Sequence, residues 1–162
     1  MDMKNVVGLF FYLFTILILI ASFPLPLSAG GKPFPLTSQQ RVYIPAYSHI
    51  YHGNKETPLL LSVTLSIRNV DSENSLTITA VDYYETQGNL LKHFLKESIA
   101  LGPMGSERFI VPQRDTSGGS GANFIVEWHS EKPINPPIIE SVMIGTQSQL
   151  GISFSSRGRA IK

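Results

Sequence analysis

Residues 59–68, LLLSVTLSIR, decide the fold. Apolar and mostly polar side chains alternate along this stretch, and the apolar positions are Leu59, Leu61, Val63, Leu65 and Ile67. Successive side chains of a β-strand point to opposite faces of the sheet, so a period of two predicts a strand with one buried side and one solvent-facing side.

The same alternation recurs further along the chain. Residues 76–84 (LTITAVDYY) alternate with a change of phase near Ala80, which predicts a β-bulge. Residues 124–129 (FIVEWH) place Phe124, Val126 and Trp128 on one face, and residues 150–156 (LGISFSS) alternate cleanly. Each of these segments is therefore expected to be a half-buried strand.

Other segments have weaker patterns. TQGN at 86–89 predicts a hairpin turn in which Gly88 takes a positive φ. Residues 90–100 (LLKHFLKESIA) fit either strands or a short helix, and we favour strands because the segment has no clear N-cap. Residues 131–137 (EKPINPP) are expected to be irregular, since three prolines occupy them. Further strand candidates are 107–111 and 138–144.

Together these patterns predict an all-β fold. About seven or eight short strands separated by turns are typical of an antiparallel β-sandwich, and we expect one of immunoglobulin-like type over residues 40–162. Its predicted core consists of Leu61, Val63, Leu65, Ile78, Phe109, Phe124, Val126, Trp128 and Phe154.

The first 29 residues have the composition of a secretory signal. Lys4 precedes an apolar run at 6–21 (VVGLFFYLFTILILIA), and the small residues SAGG follow at 28–31. This order predicts a hydrophobic signal helix with cleavage after Ala29. The alternative is an uncut membrane anchor formed by residues 6–27, because about 20 apolar residues span a bilayer.

We therefore expect export to the periplasm or the extracellular space, with the protein either released or held at the membrane by residues 6–27. Residues 30–39 (GGKPFPLTSQ) are predicted to be a flexible tether. Removal of 29 residues from 162 leaves 133, which is the length of one domain.

Composition excludes several classes of protein. The chain contains no cysteine, so neither a disulfide bond nor a thioether-linked lipid anchor can form. Its net charge is +1 and its cations are scattered, so we expect no nucleic-acid partner. We also expect no cofactor, no metal, and no membrane contact beyond the N-terminal segment.

The segment DTSGGSGAN at 115–123 is a candidate binding loop. It is not expected to be a nucleophile elbow, because Ala122 stands where GxSxG requires glycine and a strand follows where a helix is needed. Loops on a rigid scaffold often carry binding residues. We therefore expect ligand contacts from Asp115, Thr116, Ser117, Ser120 and Asn123.

The segment YIPAYSHIYH at 43–52 concentrates aromatic and imidazole side chains. Residues three apart in a strand point to opposite faces, so His49 and His52 are not expected to converge on a metal. Tyrosine rings have an apolar body and a polar tip, which suits stacking on a sugar or a peptide. The candidate contacts here are Tyr43, Tyr47, His49 and Tyr51.

Asn69, Asp71 and Glu73 have the spacing with which a calcium loop begins. An EF-hand would need glycine and glutamate where Asn74 and Ala80 stand, so the spacing does not predict a calcium site. We expect a polar hairpin turn instead.

Several longer stretches are similar to a known family. They are RVYIPAYSHIY (41–51), VTLSIRN (63–69), DYY (82–84), DTSGGSGANFIVEW (115–128), ESVMIGT (140–146) and GISFSSRGRAI (151–161). They resemble a family of exported bacterial proteins known only as a domain of unknown function. The resemblance covers nearly all of the mature chain and implies a bacterial, exported, single-domain protein, but it implies no activity and no functional residue.

Two classes of function compete. The favoured one is a non-catalytic binding or interaction module of the cell envelope, whose partner is an envelope protein or a polysaccharide. The alternative is a hydrolase of envelope polymers that uses Asp115, Ser117 or Ser120 with a histidine, because catalytic triads occur in unrelated chain orders.

Overall fold

A computed structural model describes residues 35–54, 56–146 and 151–162. The predicted signal or anchor segment at 1–29, and Leu150 of the last alternating stretch, lie outside these residues. The described part of the chain contains twelve β-strands and no α-helix. The protein is therefore all-β, as the sequence predicts, and all of its strand pairs are antiparallel.

The strands form two sheets and a separate hairpin. In chain order they are β1 (Thr37–Pro45), β2 (His49–His52), β3 (Thr57–Leu60), β4 (Ser62–Arg68), β5 (Leu76–Tyr84), β6 (Leu90–His93), β7 (Ile99–Leu101), β8 (Ser106–Val111), β9 (Asn123–Ile134), β10 (Ile138–Gly145), β11 (Ile152–Arg157) and β12 (Arg159–Ile161). The first sheet has the order β12-β1-β9-β5-β6, with β7 also beside β5, and the second has the order β11-β10-β4-β8. Strands β2 and β3 pair only with each other.

The hydrophobic core draws side chains from both sheets. Val63, Leu65 and Ile67 of β4 are fully buried, so the alternation in the decisive stretch is confirmed. They belong to one cluster with Phe124 and Trp128 of β9 in the first sheet. Seven of the nine predicted core residues are buried, whereas the other two, Phe109 and Phe154, are only partly buried and pack against the cluster.

Several local predictions are also confirmed. The β5–β9 register shifts between Ile78 and Ala80, so Thr79 and Ala80 together oppose Glu127 and form the predicted bulge. Gly88 takes a φ of 89° in the turn between β5 and β6. The segment after that turn forms strands β6 and β7.

Other predictions were wrong. Strand β9 continues to Ile134 through part of the segment expected to be irregular. In the β1–β9 pairing, His129 lies opposite Gln39, and the next pair is Ile134 opposite Thr37. Strand β9 is therefore irregular between His129 and Ile134, and proline is tolerated there. The strands also outnumber the seven or eight expected, since short ones escape a pattern of alternation, and β1 begins at Thr37, inside the predicted tether.

The predicted polar hairpin turn at 69–75 is instead a crossing between sheets, from β4 to β5. Asn69 and Asp71 are buried there. The Asn69 side-chain amide donates to the carbonyl oxygens of Asn74, Leu101 and Gly102. The Asp71 carboxylate accepts from the backbone N–H groups of Glu73 and Asn74 at 3.1 and 2.8 Å. These bonds pair both buried polar side chains with the surrounding backbone.

The chain crosses between the sheets a second time at Gly158. Strand β11 belongs to the second sheet and β12 to the first, and the Gly158 N–H donates to the Ile139 carbonyl oxygen at 2.8 Å. A Cβ at this position would lie 2.7 Å from Val42 Cγ1 and 3.0 Å from the Ile139 carbonyl oxygen. Only glycine therefore fits without a shift of its neighbours.

In the parts of the chain that the structure describes, no helix has the length and apolar character required to cross a membrane.

Candidate functional site

The two segments that the sequence singles out meet at one end of the fold. The Ala46 N–H donates to the Ala122 carbonyl oxygen at 2.8 Å, and the Ser48 N–H donates to the Gly119 carbonyl oxygen at 3.0 Å. We call this surface the loop end and define it as residues 46–52, 86 and 115–122. Backbone hydrogen bonds thus hold the aromatic segment against the glycine-rich loop.

Thr86 connects the glycine-rich loop to the turn between β5 and β6. Its hydroxyl donates to the Gly118 carbonyl oxygen and accepts from the Gly121 N–H, both at 3.0 Å. Gly119, with a φ of 77°, lies between these two contacts. Thr86 is not predictable as a contact of the loop, because the TQGN motif predicts a turn and gives no sign of what the turn contacts.

A buried pair of hydroxyl groups supports the loop from below. Ser48 Oγ and the Tyr83 hydroxyl oxygen lie 3.3 Å apart, and a Cβ on Gly118 would overlap the Tyr83 hydroxyl. Burial raises the pKa of Tyr83; the hydrogen bond to Ser48 acts in the opposite direction and the nearby Asp115 charge adds to the increase. The alternation of β5 predicts an inward side chain at this position but not its contact with the loop.

Asp115 shapes the loop that it begins. Its carboxylate accepts from the Ser117 N–H at 3.1 Å and from the Ser117 hydroxyl. Thr116 and Ser117 are exposed, while Ser120 is half-buried in the short 3₁₀ turn Gly119–Gly121. The loop therefore presents hydroxyl groups to solvent from a backbone that is fixed at several points.

The β2–β3 hairpin carries the aromatic part of the loop end. His49 Nε2 lies 3.2 Å from the Tyr51 hydroxyl oxygen, and the two rings meet edge to face with their centroids 5.2 Å apart. Tyr51 is 54% exposed, whereas Tyr47 is half-buried against Phe154 with ring centroids 5.7 Å apart. Tyr51 and His49 are thus available to a ligand, and Tyr47 mainly packs.

Two of the predicted contact residues lie elsewhere. Tyr43 is on the outer face of the first sheet, opposite Ile125 of β9 and Arg159 of β12. Asn123 begins β9, where it pairs with Pro45 and Tyr84. The alternation of β1 explains the position of Tyr43, because its neighbours Val42 and Ile44 point into the core.

The histidines are dispersed over the fold. His93 Nδ1 lies 2.7 Å from Asp82 Oδ1 on the outer face of the first sheet, while His129 is on β9 and His52 ends β2. Within the described residues no histidine ring is hydrogen-bonded to a serine hydroxyl. The same residues contain no group of three or more His, Cys, Asp or Glu side chains that could hold a metal ion.

The fold and the loop end define an all-β, antiparallel protein with a rigidly held polar and aromatic surface. The chain belongs to the family described as "Protein of unknown function (DUF3124)", which matches residues 39–161 and confirms the resemblance found in the sequence. No curated protein matches the chain. A similar solved structure is the crystal structure of Thermotoga maritima 1070, at 12% identity and a TM-score of 0.45, over 76% of this chain and 96% of that chain.

Proposed function

We propose that this protein is an exported, non-catalytic binding or interaction module of the cell envelope and that the loop end is its contact surface. The observation that carries the proposal is the hydrogen bonding of Ala46 and Ser48 to the glycine-rich loop, which unites two separate segments into one surface. Its partner is an envelope protein or a polysaccharide.

The side chains at the loop end support binding. Tyr51 combines a large exposed ring with a hydroxyl group, a combination that is enriched at contact surfaces. Thr116 and Ser117 of the glycine-rich loop add exposed hydroxyl groups to the same surface. The backbone bonds to Thr86 and Ser48 reduce the loss of conformational entropy on binding, because the loop is already ordered.

The alternative is a hydrolase of envelope polymers. The contact between His93 and Asp82 favours it, since a carboxylate commonly orients a catalytic histidine. However, Ser117 bonds to Asp115 and not to a histidine, and His93 lies in an exposed position on the sheet face. These contacts favour the binding module.

We also propose a finer architecture and a location. A core shared by both sheets supports an immunoglobulin-like β-sandwich over residues 40–162. The pattern of residues 1–29 supports a signal peptide, or an anchor through residues 6–27. N-terminal sequencing of protein recovered from the envelope tests the location: a start at Gly30 supports cleavage, an intact Met1 in the membrane fraction supports the anchor, and protein confined to the cytosol contradicts both.

Site-specific crosslinking tests the contact surface. A photoreactive residue is placed at position 51 or 117 of the full-length protein, and at position 64 on the second sheet as a matched control. We expect the same partner to be captured from positions 51 and 117 in intact cells, and not from position 64. Capture from position 64 alone, or turnover of an ester or glycan panel with no capture at all, would show that the proposal is wrong.

A further inference from the structure

A groove of about 450 Å³ lies on the outer face of the first sheet. Its polar lining includes Gln39, Arg41, Thr79, Glu127 and His129. None of these residues belongs to the loop end. The groove is therefore a second candidate surface, formed by the middle of the sheet and not by its loops.

Strand register places the lining side chains in rows across the sheet. Arg41 of β1 lies opposite Ile161 of β12 on one side and opposite Glu127 of β9 on the other. Glu127 in turn lies opposite Ala80 of β5. Directly opposed residues in antiparallel strands point to the same face. Three inter-strand spacings make this row about 14 Å wide.

The bulge in β5 shapes the groove. It adds Thr79 to the row beside Ala80, and the Thr79 hydroxyl donates to the Glu127 carbonyl oxygen at 3.2 Å. A second register shift lies across the sheet, between Thr37 and Gln39 of β1. Bulges bend a strand and increase its twist, so the bulge in β5 and the irregular stretch of β9 after His129 bend the sheet at the groove.

A second hollow continues the first towards the end of β9. It has a volume of about 390 Å³ and shares His129 with the groove. Its other lining residues are all polar or charged, namely Glu73, Asn74, Ser75, Thr77, Ser130, Glu131 and Lys132. Two adjoining hollows with a common residue fit an extended ligand better than a compact one.

Positive and negative side chains are equal in number in the lining of the two hollows. They are Arg41, Lys132 and Lys162 against Glu73, Glu127 and Glu131. Arg41 Nε also lies 3.4 Å from Glu127 Oε1, with both side chains about half exposed. A polyanion needs an excess of positive charge, which this surface lacks. The first hollow mixes apolar groups, among them Trp128 and Ile161, with its polar side chains, and the lining of the second is mainly polar.

Hydroxyl-rich ligands fit this chemistry. Each sugar hydroxyl donates one hydrogen bond and accepts others, and the lining offers both functions through guanidinium, carboxylate, amide and imidazole groups. We propose that the groove binds an extended, uncharged glycan, with Arg41 and Glu127 as its central contacts. This site goes beyond the proposed function, because it uses a different surface and does not depend on the loop end.

Calorimetric titration of the full-length protein with cellotetraose, maltotetraose and chitotetraose tests the site. The protein is kept in a detergent without a sugar headgroup, so that the detergent does not compete. We expect saturable binding of at least one oligosaccharide. Arg41→Ala and Glu127→Ala should each weaken it by about tenfold or more, the usual effect of losing a hydrogen bond to a charged group.

The second sheet supplies a matched control. Arg68 Nε and Glu140 Oε1 form a comparable surface pair at 3.9 Å, so Arg68→Ala and Glu140→Ala should leave binding unchanged. Thermal melts followed by circular dichroism show that each variant is folded. The proposal is overturned if no oligosaccharide binds, if both pairs of variants lose binding equally, if Tyr51→Ala abolishes it, or if only an anionic polymer such as polygalacturonate binds.

Discussion

The Ser48 and Tyr83 hydroxyl oxygens lie 3.3 Å apart beneath Gly118, where the glycine-rich loop crosses the end of the first sheet. One hydroxyl donates to the other in an interior that offers water no access, since Ser48 is fully buried and Tyr83 is 2% exposed. The pair therefore fixes the position of the loop relative to the core. A substitution at Ser48 or Tyr83 should therefore alter the structure of the loop end.

Gly118→Ala should destabilise the protein by about 1–3 kcal/mol, which is the usual cost of overpacking. The backbone itself tolerates alanine, because φ at this position is −70°. The added Cβ would overlap the Tyr83 hydroxyl and lie 2.7 Å from Tyr83 Cζ and 2.8 Å from Ala122 Cβ. Urea denaturation measures the change in the free energy of unfolding.

Gly102→Ala is the matched control for this substitution, since nothing lies within 4 Å of a Cβ added there. It should change stability by less than about 0.5 kcal/mol. Combining Gly118→Ala with Tyr83→Phe should recover part of the loss, because the overlapping hydroxyl is removed. Equal effects of Gly118→Ala and Gly102→Ala would contradict the contact with Tyr83.

Asp71 should make stability depend on acid pH. Hydrogen bonds from the backbone N–H groups of Asn74 and Glu73 lower the pKa of Asp71 from its ordinary 3.8, although burial acts in the opposite direction. The pKa is thus lower in the folded state than in the unfolded state. The charged carboxylate then stabilises the fold above the unfolded pKa, and this contribution is lost as the pH falls through the folded pKa.

Asp71→Asn should accordingly be less stable than the original protein at neutral pH, and the difference should shrink below about pH 4. Urea denaturation at a series of pH values measures both curves. Glu73→Gln changes a neighbouring exposed carboxylate and should leave the curve close to that of the original protein. A difference for Asp71→Asn that stays constant or grows in acid would refute the linkage.

Val63→Asp should unfold the protein, whereas Thr64→Asp should be tolerated. Val63 is fully buried between the sheets, and an unpaired carboxylate there costs several kcal/mol. Thr64 is the next residue of the same strand and points to the half-exposed outer face. Far-UV circular dichroism and the solubility of the two variants provide the comparison, and similar behaviour of both would contradict the assigned faces of β4.

Trp128 is the only tryptophan of the chain and gives an internal probe of folding. It is 2% exposed, and its indole N–H has no hydrogen-bond partner in the described part of the structure. The native protein should therefore fluoresce at shorter wavelength than free tryptophan and resist quenching by acrylamide. Denaturation should shift the emission to longer wavelength, and native emission like that of free tryptophan would contradict the burial of Trp128.

Alternation along single strands predicted the core well, because the inward positions of β4 and β9 are set by the local period of two. The bulge at Ala80 was predictable for the same reason, as a change in that period. Alternation contains no information on which strands become neighbours. The crossing of β4 to β5 between sheets was therefore missed, and a hairpin was expected instead.

The candidate site was predicted in parts. Tyr51 and the glycine-rich loop were found from composition, and the structure brings their segments together. Thr86 and Ser48 could not be found this way, because their role consists of contacts between residues far apart in sequence. Tyr43 belongs to the same stretch as Tyr51, but the chain leaves β1 before β2 begins, so the two tyrosines face different surroundings.

The passage of the chain through Gly158 has a mechanical consequence. Strands β11 and β12 are consecutive, yet each is bonded into a different sheet, so one continuous segment connects both layers. Sliding one layer over the other would stretch the backbone at Gly158 as well as disturb side-chain packing. Pulling on the C-terminus would instead unzip β12 from β1 one bond at a time. We therefore expect the fold to be stiff in shear and compliant in peeling, which force spectroscopy along the two directions can measure.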